Sequence, residues 1–276
     1  MIKRLKRLLL ISVFFLPPPP ELYAKDLIVT FINVGEGDAA YIETPSKERI
    51  LVDTGNPAAG FRLADFLKAK GVILLDALFI THPHSDHIGG IFHILPGINV
   101  KTLYDNGQPI SDASEYEAYR WYKEVRRGSN YRAVNTGDIF QYGDVRIQVL
   151  WPNDILSSNW NTNSLVLKII YNEVVFLLMG DANAETEDAL LREGIDLNAG
   201  ILKVGHHGSA DAAGERFIKA VSPLYGIISA AGENLQGYAD PIIVKRLQDN
   251  NIKILYTYSD GDIVFKTSGK ELYILK

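Results

Sequence analysis

His82-Pro83-His84-Ser85-Asp86-His87 packs four side chains that can ligate a metal into six residues. The segment closes an apolar run, Ala77-Leu78-Phe79-Ile80, and is followed by Ile88-Gly89-Gly90. His82 and His84 are two residues apart, so in extended backbone they point to one side and can grip one cation. Asp86 and His87 follow in a tight turn and can grip a second cation beside it. Two metals about 3.5–4 Å apart can share a hydroxide and clamp both the attacking and the leaving oxygen of a displacement. The plainer reading is a histidine-rich surface turn. It leaves unexplained why further ligand-type residues close other apolar runs of the same chain.

The H-x-H-x-D-H pattern resembles the signature of the metallo-β-lactamase superfamily. Five further stretches follow in the order that the ComEC-like branch shows. They are Phe31-Ile32-Asn33-Val34-Gly35-Glu36-Gly37-Asp38-Ala39, Ile50-Leu51-Val52-Asp53-Thr54-Gly55, Asn163-Ser164-Leu165-Val166-Leu167, Leu178-Met179-Gly180-Asp181-Ala182 and Leu202-Lys203-Val204-Gly205-His206-His207-Gly208-Ser209. That branch comprises the extracytoplasmic hydrolase domains of competence DNA-uptake proteins. The resemblance runs from about residue 27 to the end of the chain. It implies an α/β fold built as a four-layer αββα sandwich. It also implies hydrolysis supported by two divalent metal ions, with zinc expected and manganese as the alternative.

Asp181 follows the apolar run Val174-Val175-Phe176-Leu177-Leu178-Met179-Gly180. A carboxylate at the end of a buried strand is costly unless it is paired or metal-bound. The resemblance makes it the carboxylate that bridges the two metals; the alternative is a turn aspartate capping the next helix. His206 and His207 are flanked by glycines, which let backbone approach a crowded centre. The resemblance makes one of them the distal ligand, and the expected assignment is His206 on the metal with His207 nearer the substrate. The expected metal set is His82, His84, Asp86, His87, Asp181 and His206. The expected catalytic set is Asp86, His207 and Asp240. Asp53, and Asp38 in a similar way, are expected behind the ligands, holding a histidine or the backbone of the turn. His93 is read as structural.

Two departures from the family pattern stand out. Many members have another histidine ligand before the bridging aspartate, where this chain reads Asn159-Trp160-Asn161-Thr162-Asn163-Ser164. The ComEC-like branch also carries asparagine there, which implies one metal position short of a nitrogen donor. The branch usually reads Tyr-Gly-His-Pro where this chain has Tyr238-Ala239-Asp240-Pro241. Asp240 either tunes the site or caps a helix that starts at Pro241.

The elements that must position these residues are legible from periodicity. Strands are expected over 27–34, 39–42, 49–52 and 77–80, with a helix over 60–70 closed by Gly71 and a short helix over 88–95. Hairpins are expected over 138–151 and 164–179, then a helix over 185–192 and a strand over 201–204. Helices over 215–220 and 241–248 and strands over 225–229, 253–257, 263–266 and 271–275 complete the chain. Residues 113–127 read as a helix mixing aromatics with Arg120, Lys123, Arg126 and Arg127. Such a mixture can stack bases and hold phosphates, or it can be an amphipathic helix packed on the sandwich with its charges in water. Periodicity alone gives a mixed α/β domain; the layering comes from the resemblance.

Of 276 residues, 47% are hydrophobic, enough for one large domain over residues 25–276. Residues 1–24 read as a secretory signal. Lys3, Arg4, Lys6 and Arg7 precede the nine-residue apolar run Leu8 to Leu16, and Ala24 offers a small residue at the cut. A retained N-terminal anchor is the alternative. Once the signal is removed, no membrane-spanning segment is expected. The chain has no cysteine, so every metal donor must be nitrogen or oxygen, and no disulfide or acylated cysteine is available. The net charge is −5; residues 1–24 carry +3, leaving −8 on the remainder. That argues against non-specific coating of nucleic acid but not against a local basic groove.

The expected function is a secreted or periplasmic metal-dependent hydrolase, a phosphodiesterase acting on an anionic substrate, with nucleic acid the first candidate. A metal-held water ionises near neutral pH and attacks phosphorus or a carbonyl carbon. The leaving group is protonated by His207, Asp240 or a metal-held water. Two alternatives remain open. One is hydrolysis of phosphocholine esters or lactones, with the aromatics of 105–135 boxing a quaternary ammonium. The other is a catalytically silent binding protein supported by Asp240. No protein partner can be inferred.

Overall fold

The computed structural model describes residues 26–109, 116–153, 157–232 and 239–275. The expected signal, residues 110–115 of the 105–135 region and Tyr238 of the Tyr238-Ala239-Asp240-Pro241 stretch lie outside the described residues. Two large sheets stack face to face. The first has eight strands, ordered Leu272–Leu275, Ile263–Thr267, Leu27–Phe31, Ala40–Glu43, Arg49–Val52, Ala77–Phe79, Leu103–Asp105 and Tyr131–Ala133. The second has seven, ordered Lys253–Tyr256, Tyr225–Ile228, Ile201–Lys203, Val174–Leu178, Val166–Tyr171, Val145–Trp151 and Ile139–Tyr142.

Side-chain alternation explains the stacking. Ile50, Val52, Ala77 and Phe79 face Val149, Leu167, Phe176 and Leu178 in a core between the sheets. Their neighbours Leu51 and Leu78 point the other way, under the helices Gly60–Ala69 and Tyr116–Gly128. On the far side Leu177 and Leu202 lie under Ala184–Arg192, Glu215–Val221 and Pro241–Asp249. Strands covered on both faces read as continuous apolar runs, which is how these segments appear in the sequence. The result is the expected αββα sandwich. Among the described residues no helix is long and apolar enough to cross a membrane.

Each sheet joins an antiparallel part to a parallel part. Arg49–Val52, Ala77–Phe79, Leu103–Asp105 and Tyr131–Ala133 run parallel, as do Val174–Leu178, Ile201–Lys203, Tyr225–Ile228 and Lys253–Tyr256. Asp53, His82, Asp181, His206, His207 and Ser229 all come just after the carboxyl ends of these parallel strands. That is the edge at which open α/β sheets bind ligands.

The expected helix over 88–95 is instead two helical turns, Ser85–Ile88 and Ile91–Ile94. The break at Gly89-Gly90 has a steric cause. A Cβ at Gly89 would lie 2.3 Å from the ring of Pro57, and one at Gly90 would lie 2.0 Å from the carbonyl oxygen of Thr54. The loop after Arg49–Val52 is pressed against this pair, and there Thr54 donates both its backbone N–H (2.7 Å) and its hydroxyl (2.9 Å) to the His87 carbonyl. Gly90→Ala is therefore expected to lose about 1–3 kcal/mol of stability, the usual cost of forcing a methyl into filled space. A denaturant midpoint unchanged from the parent would refute this account of the glycine pair.

Candidate metal centre

The two sheets deliver two overlapping groups of donors that share Asp181: His82, His84 and Asp181, and Asp86, His87, Asp181 and His207. A third cluster, Asp38, Asp53 and His87, lies on the Nδ1 side of His87. Within each group one donor atom per residue lies within 4.8 Å of the rest. His82, His84, Asp86 and His87 come from the turn after Ala77–Phe79 in the first sheet. Asp181 and His207 follow neighbouring strands of the second. Asp181 belongs to both groups. Its Oδ1 is 3.2 Å from His87 Nε2 and 3.3 Å from His207 Nε2, and its Oδ2 is 3.6 Å from His82 Nε2. It does not cap the following helix; Asn183 does, accepting from Thr186 N–H.

The histidine pair departs from expectation. His207, fully buried, turns Nε2 toward Asp86 (3.2 Å) and Asp181. His206 belongs to neither group. Its Nδ1 lies 2.9 Å from Asp211 Oδ1, and its Nε2 lies 3.2 Å from Asn161 Nδ2. Both residues have left-handed backbone, φ 46° and 53°. That conformation is uncommon outside glycine, and two such residues in succession throw adjacent rings in different directions. In the geometry it is the ring of His207, and not that of His206, that lies among the donors. Asp240 also falls outside both groups. Its carboxylate accepts the Ile242 N–H at 2.8 Å and caps the helix Pro241–Asp249. Pro241 at the first helical position favours that use. His93 sits edge-on against Phe61, ring centres 4.4 Å apart, away from both groups.

The backs of the inward-facing imidazoles are held. His87 Nδ1 lies 2.9 Å from Asp53 Oδ2, and Asp53 also accepts from the Thr81 N–H and hydroxyl. His207 Nδ1 lies 3.0 Å from the Ser229 carbonyl oxygen, and its N–H can only donate there. His82 Nδ1 lies 3.1 Å from Ser164 Oγ, which also accepts the Asp181 N–H. Fixing Nδ1 in this way sets the tautomer that leaves Nε2 as a ligand. The expected place of Asp53 behind the ligands agrees with this.

The electrostatics fit a cation site. Burial works against a charged Asp181, yet His207 and His87 hold its carboxyl well below the ordinary range. Burial also works against a proton on His87, but Asp181, Asp86 and Asp53 raise it well above the ordinary histidine value. His207 is raised in the same way, against burial, by Asp181, Asp38 and Asp86. His82 is pushed well below its ordinary value by burial first and then by His87, against the pull of Asp181. The buried carboxylates thus favour positive charge at His87 and His207, which a bound metal would supply in place of protons. His87 Nε2 and Asp181 Oδ1 are buried without a well-formed hydrogen bond, as donors awaiting a cation would be. The donor set, all nitrogen and oxygen, suits zinc or a harder divalent ion.

Some of the supporting residues were not anticipated. Lys203, in the buried strand Ile201–Lys203, places its ammonium 2.8 Å from Asp38 Oδ2. Burial would raise Asp38, but Lys203 first and His207 next bring it down to about 2. A lysine inside the apolar Ile201-Leu202-Lys203-Val204 was the available signal. Thr81, Ser164 and Ser229 are ordinary polar residues in sequence, and nothing marks them apart from the fold.

Residues 32–232 match the family model described as the metallo-beta-lactamase superfamily. ComE operon protein 3 of Bacillus subtilis is 31% identical over 255 residues, covering 86% of this chain and 33% of that protein. Competence protein ComA of Neisseria gonorrhoeae is 29% identical, covering 93% of this chain and 35% of that protein. The chain thus spans about a third of the length of these curated relatives. Among solved structures, the metallo hydrolase Igni18 of Ignicoccus hospitalis superimposes with a TM-score of 0.58 at 17% identity, covering 88% of this chain and 99% of that one. The chain belongs to the metallo-beta-lactamase superfamily, and its similarity to competence proteins sets it beside the ComEC-like branch.

Proposed function

We propose that this protein is a metal-dependent phosphodiesterase. The observation that carries the reading is Asp181, one carboxylate shared by two donor groups at the open end of the parallel strands. His82, His84 and Asp181 would hold one divalent ion and Asp86, His87, His207 and Asp181 a second. Two such ions, zinc or manganese, acidify a water and neutralise charge on both oxygens of a displacement at phosphorus. The chain's own part is preorganisation. Asp53, Ser229 and Ser164 fix the back nitrogens of His87, His207 and His82, so three Nε2 atoms face inward without rearrangement. Both nitrogens of His207 are committed, and the Asp240 carboxylate is used by its helix, so neither is assigned proton transfer to the leaving group. Nucleic acid is the favoured substrate because the relatives are competence proteins. The basic-then-apolar residues 1–24 support export to an extracytoplasmic location.

The alternatives have less support. Tyr122 is fully buried, with its hydroxyl bonded to Asp105 at 2.7 Å, and Tyr119 is 7% exposed, so two of the aromatics of this stretch offer little surface to a quaternary ammonium. A silent binding protein rested on Asp240, which caps a helix instead.

The test is a screen of purified protein, loaded with zinc or manganese, against bis(4-nitrophenyl) phosphate, a phosphocholine ester and a lactone. Turnover of the first alone is expected; turnover of only the others would overturn the proposal. Metal titration separates the histidines. His207→Ala should bind one equivalent fewer than the parent, while His206→Ala should keep the parent stoichiometry. The reverse pattern would restore the assignment expected from sequence. Asp240→Asn keeps a good cap, so stability should shift by at most about 1 kcal/mol, with metal content and turnover rate unchanged. A lost metal equivalent in that variant would return Asp240 to the site.

A further inference from the structure

A concavity of about 420 Å³ opens beyond the donor groups, lined by Gly107, Tyr119, Lys123, Arg126, Arg127 and Tyr131. We infer that it is a phosphate-binding subsite for single-stranded nucleic acid, a reading that rests on the phosphodiesterase proposal above.

Four of the lining residues form one stripe of the helix Tyr116–Gly128, at spacings of four, seven and eight residues from Tyr119. Such spacing puts them on one face. Tyr119 packs inward as part of the core, while Lys123 lies over its ring, 5.4 Å from the centroid, with the charge in water. The floor is built rather than incidental. Asp105, buried at the end of Leu103–Asp105, accepts from Tyr122 Oη at 2.7 Å and from Tyr131 Oη at 2.6 Å, and lies 3.5 Å from Arg126 Nε. Arg126 is also bonded to Tyr131 Oη and is 17% exposed. Its guanidinium is therefore held in place before any ligand arrives, and a guanidinium carries five donors, of which these contacts use only part. Arg127 reaches Glu124 at 2.6 Å in a solvent-exposed pair, which is cheap to exchange. Three cations against Asp105 and Glu124 leave the pocket positive, in a chain whose net charge is −5.

Its position fits a polymeric substrate. Ala77–Phe79, which leads into His82, neighbours Leu103–Asp105, which neighbours Tyr131–Ala133. Two strand spacings are about 10 Å, a span that a few nucleotides cover. The segment between them is tied down. Asn106 donates to the Asn163 carbonyl oxygen at 2.8 Å, and Asn163 donates to Gln108 Oε1 at 2.9 Å. Asn163 directly precedes Ser164, which supports His82 and Asp181. The pocket and the donor groups are thus joined through short polar contacts. A strand with one phosphate at the metals could rest another on Lys123, Arg126 and Arg127. A mononucleotide or a lactone would not reach.

The test is anisotropy of a fluorescent single-stranded oligonucleotide, DNA in one arm and RNA in the other, titrated with the full chain in EDTA across a salt series. Removing the exposed pair, Lys123→Ala with Arg127→Ala, should weaken binding about tenfold or more. It should also flatten the slope of log K against log salt by about 1.4, the value for two lost phosphate contacts on a single strand. Lys219→Ala with Lys245→Ala, which removes the same charge from helices of the other face, should change neither by more than a small fraction of that. Equal losses in both double variants, no binding by the parent, or binding of phosphatidylglycerol vesicles in place of the oligonucleotide would overturn the subsite. The two proposals fail separately. Oligonucleotide held through this pocket but no phosphodiester turned over sinks the activity alone. Turnover by the parent with an unchanged affinity in the Lys123/Arg127 variant sinks the subsite alone.

Discussion

The site depends on burying the Asp181 carboxylate. At 3% exposure, an ionised carboxylate loses most of its hydration, a cost of several kcal/mol that only close opposite charge or metal can offset. His82, His87 and His207 surround it, and they come from both sheets. The apolar core between the sheets therefore does more than stabilise the fold. It sets the distance between the two half-sites, and a shift of the layers would separate Asp181 from the His82–His87 turn. Gly180 shows how closely the halves are pressed together. Its backbone is left-handed, at φ 53°, and a Cβ there would lie 2.9 Å from Thr81 across the interface.

Around that carboxylate the chain spends its neutral polar groups on orientation and its charges on balance. Ser164, Ser229 and Thr81 contribute no net charge, yet they fix ring faces and the backbone of the turn. Lys203 is the exception, a buried cation set against Asp38 behind His207. It offsets the negative charge of Asp38 on the Nδ1 side of His207, away from the Asp86 and Asp181 carboxylates.

Most of the architecture was readable because strands covered on both faces leave long apolar runs, and several of the parallel strands lead into a buried polar residue, as at Asp53, His82, Asp181 and Ser229. The H-x-H-x-D-H turn, Asp181 and Asp53 fall where that logic puts them. The logic fails where direction, not position, decides. His206 and His207 are adjacent and both left-handed, and no pattern in Gly205-His206-His207-Gly208 says which ring turns inward; the answer comes from the Ser229 carbonyl on the next strand, which captures the Nδ1 of His207. Asp240 posed the same difficulty, since a carboxylate before proline suits a cap and a site equally until the Ile242 N–H is seen to take it. The helix Tyr116–Gly128 was ambiguous for a third reason. Its tyrosines and its cations serve different neighbours, with Tyr122 turned into the sandwich and Lys123 left in water.

The two donor groups are unequal, and the inequality has a local cause. The group around His82 and His84 has Asp181 as its one carboxylate, while the group around His87 and His207 has Asp86 as well. A divalent ion held by the second group would thus be closer to neutral, and one held by the first would keep more of its charge. Near the first position stand Trp160, whose ring lies 4.9 Å from that of His84, and Asn161, whose amide is engaged with His206. Asparagine occupies the stretch where many superfamily members carry a further imidazole. A neutral carboxamide binds zinc far less readily than imidazole does. The first group therefore offers a cation the poorer protein donor set, and an ion held there would be the more electrophilic of the two.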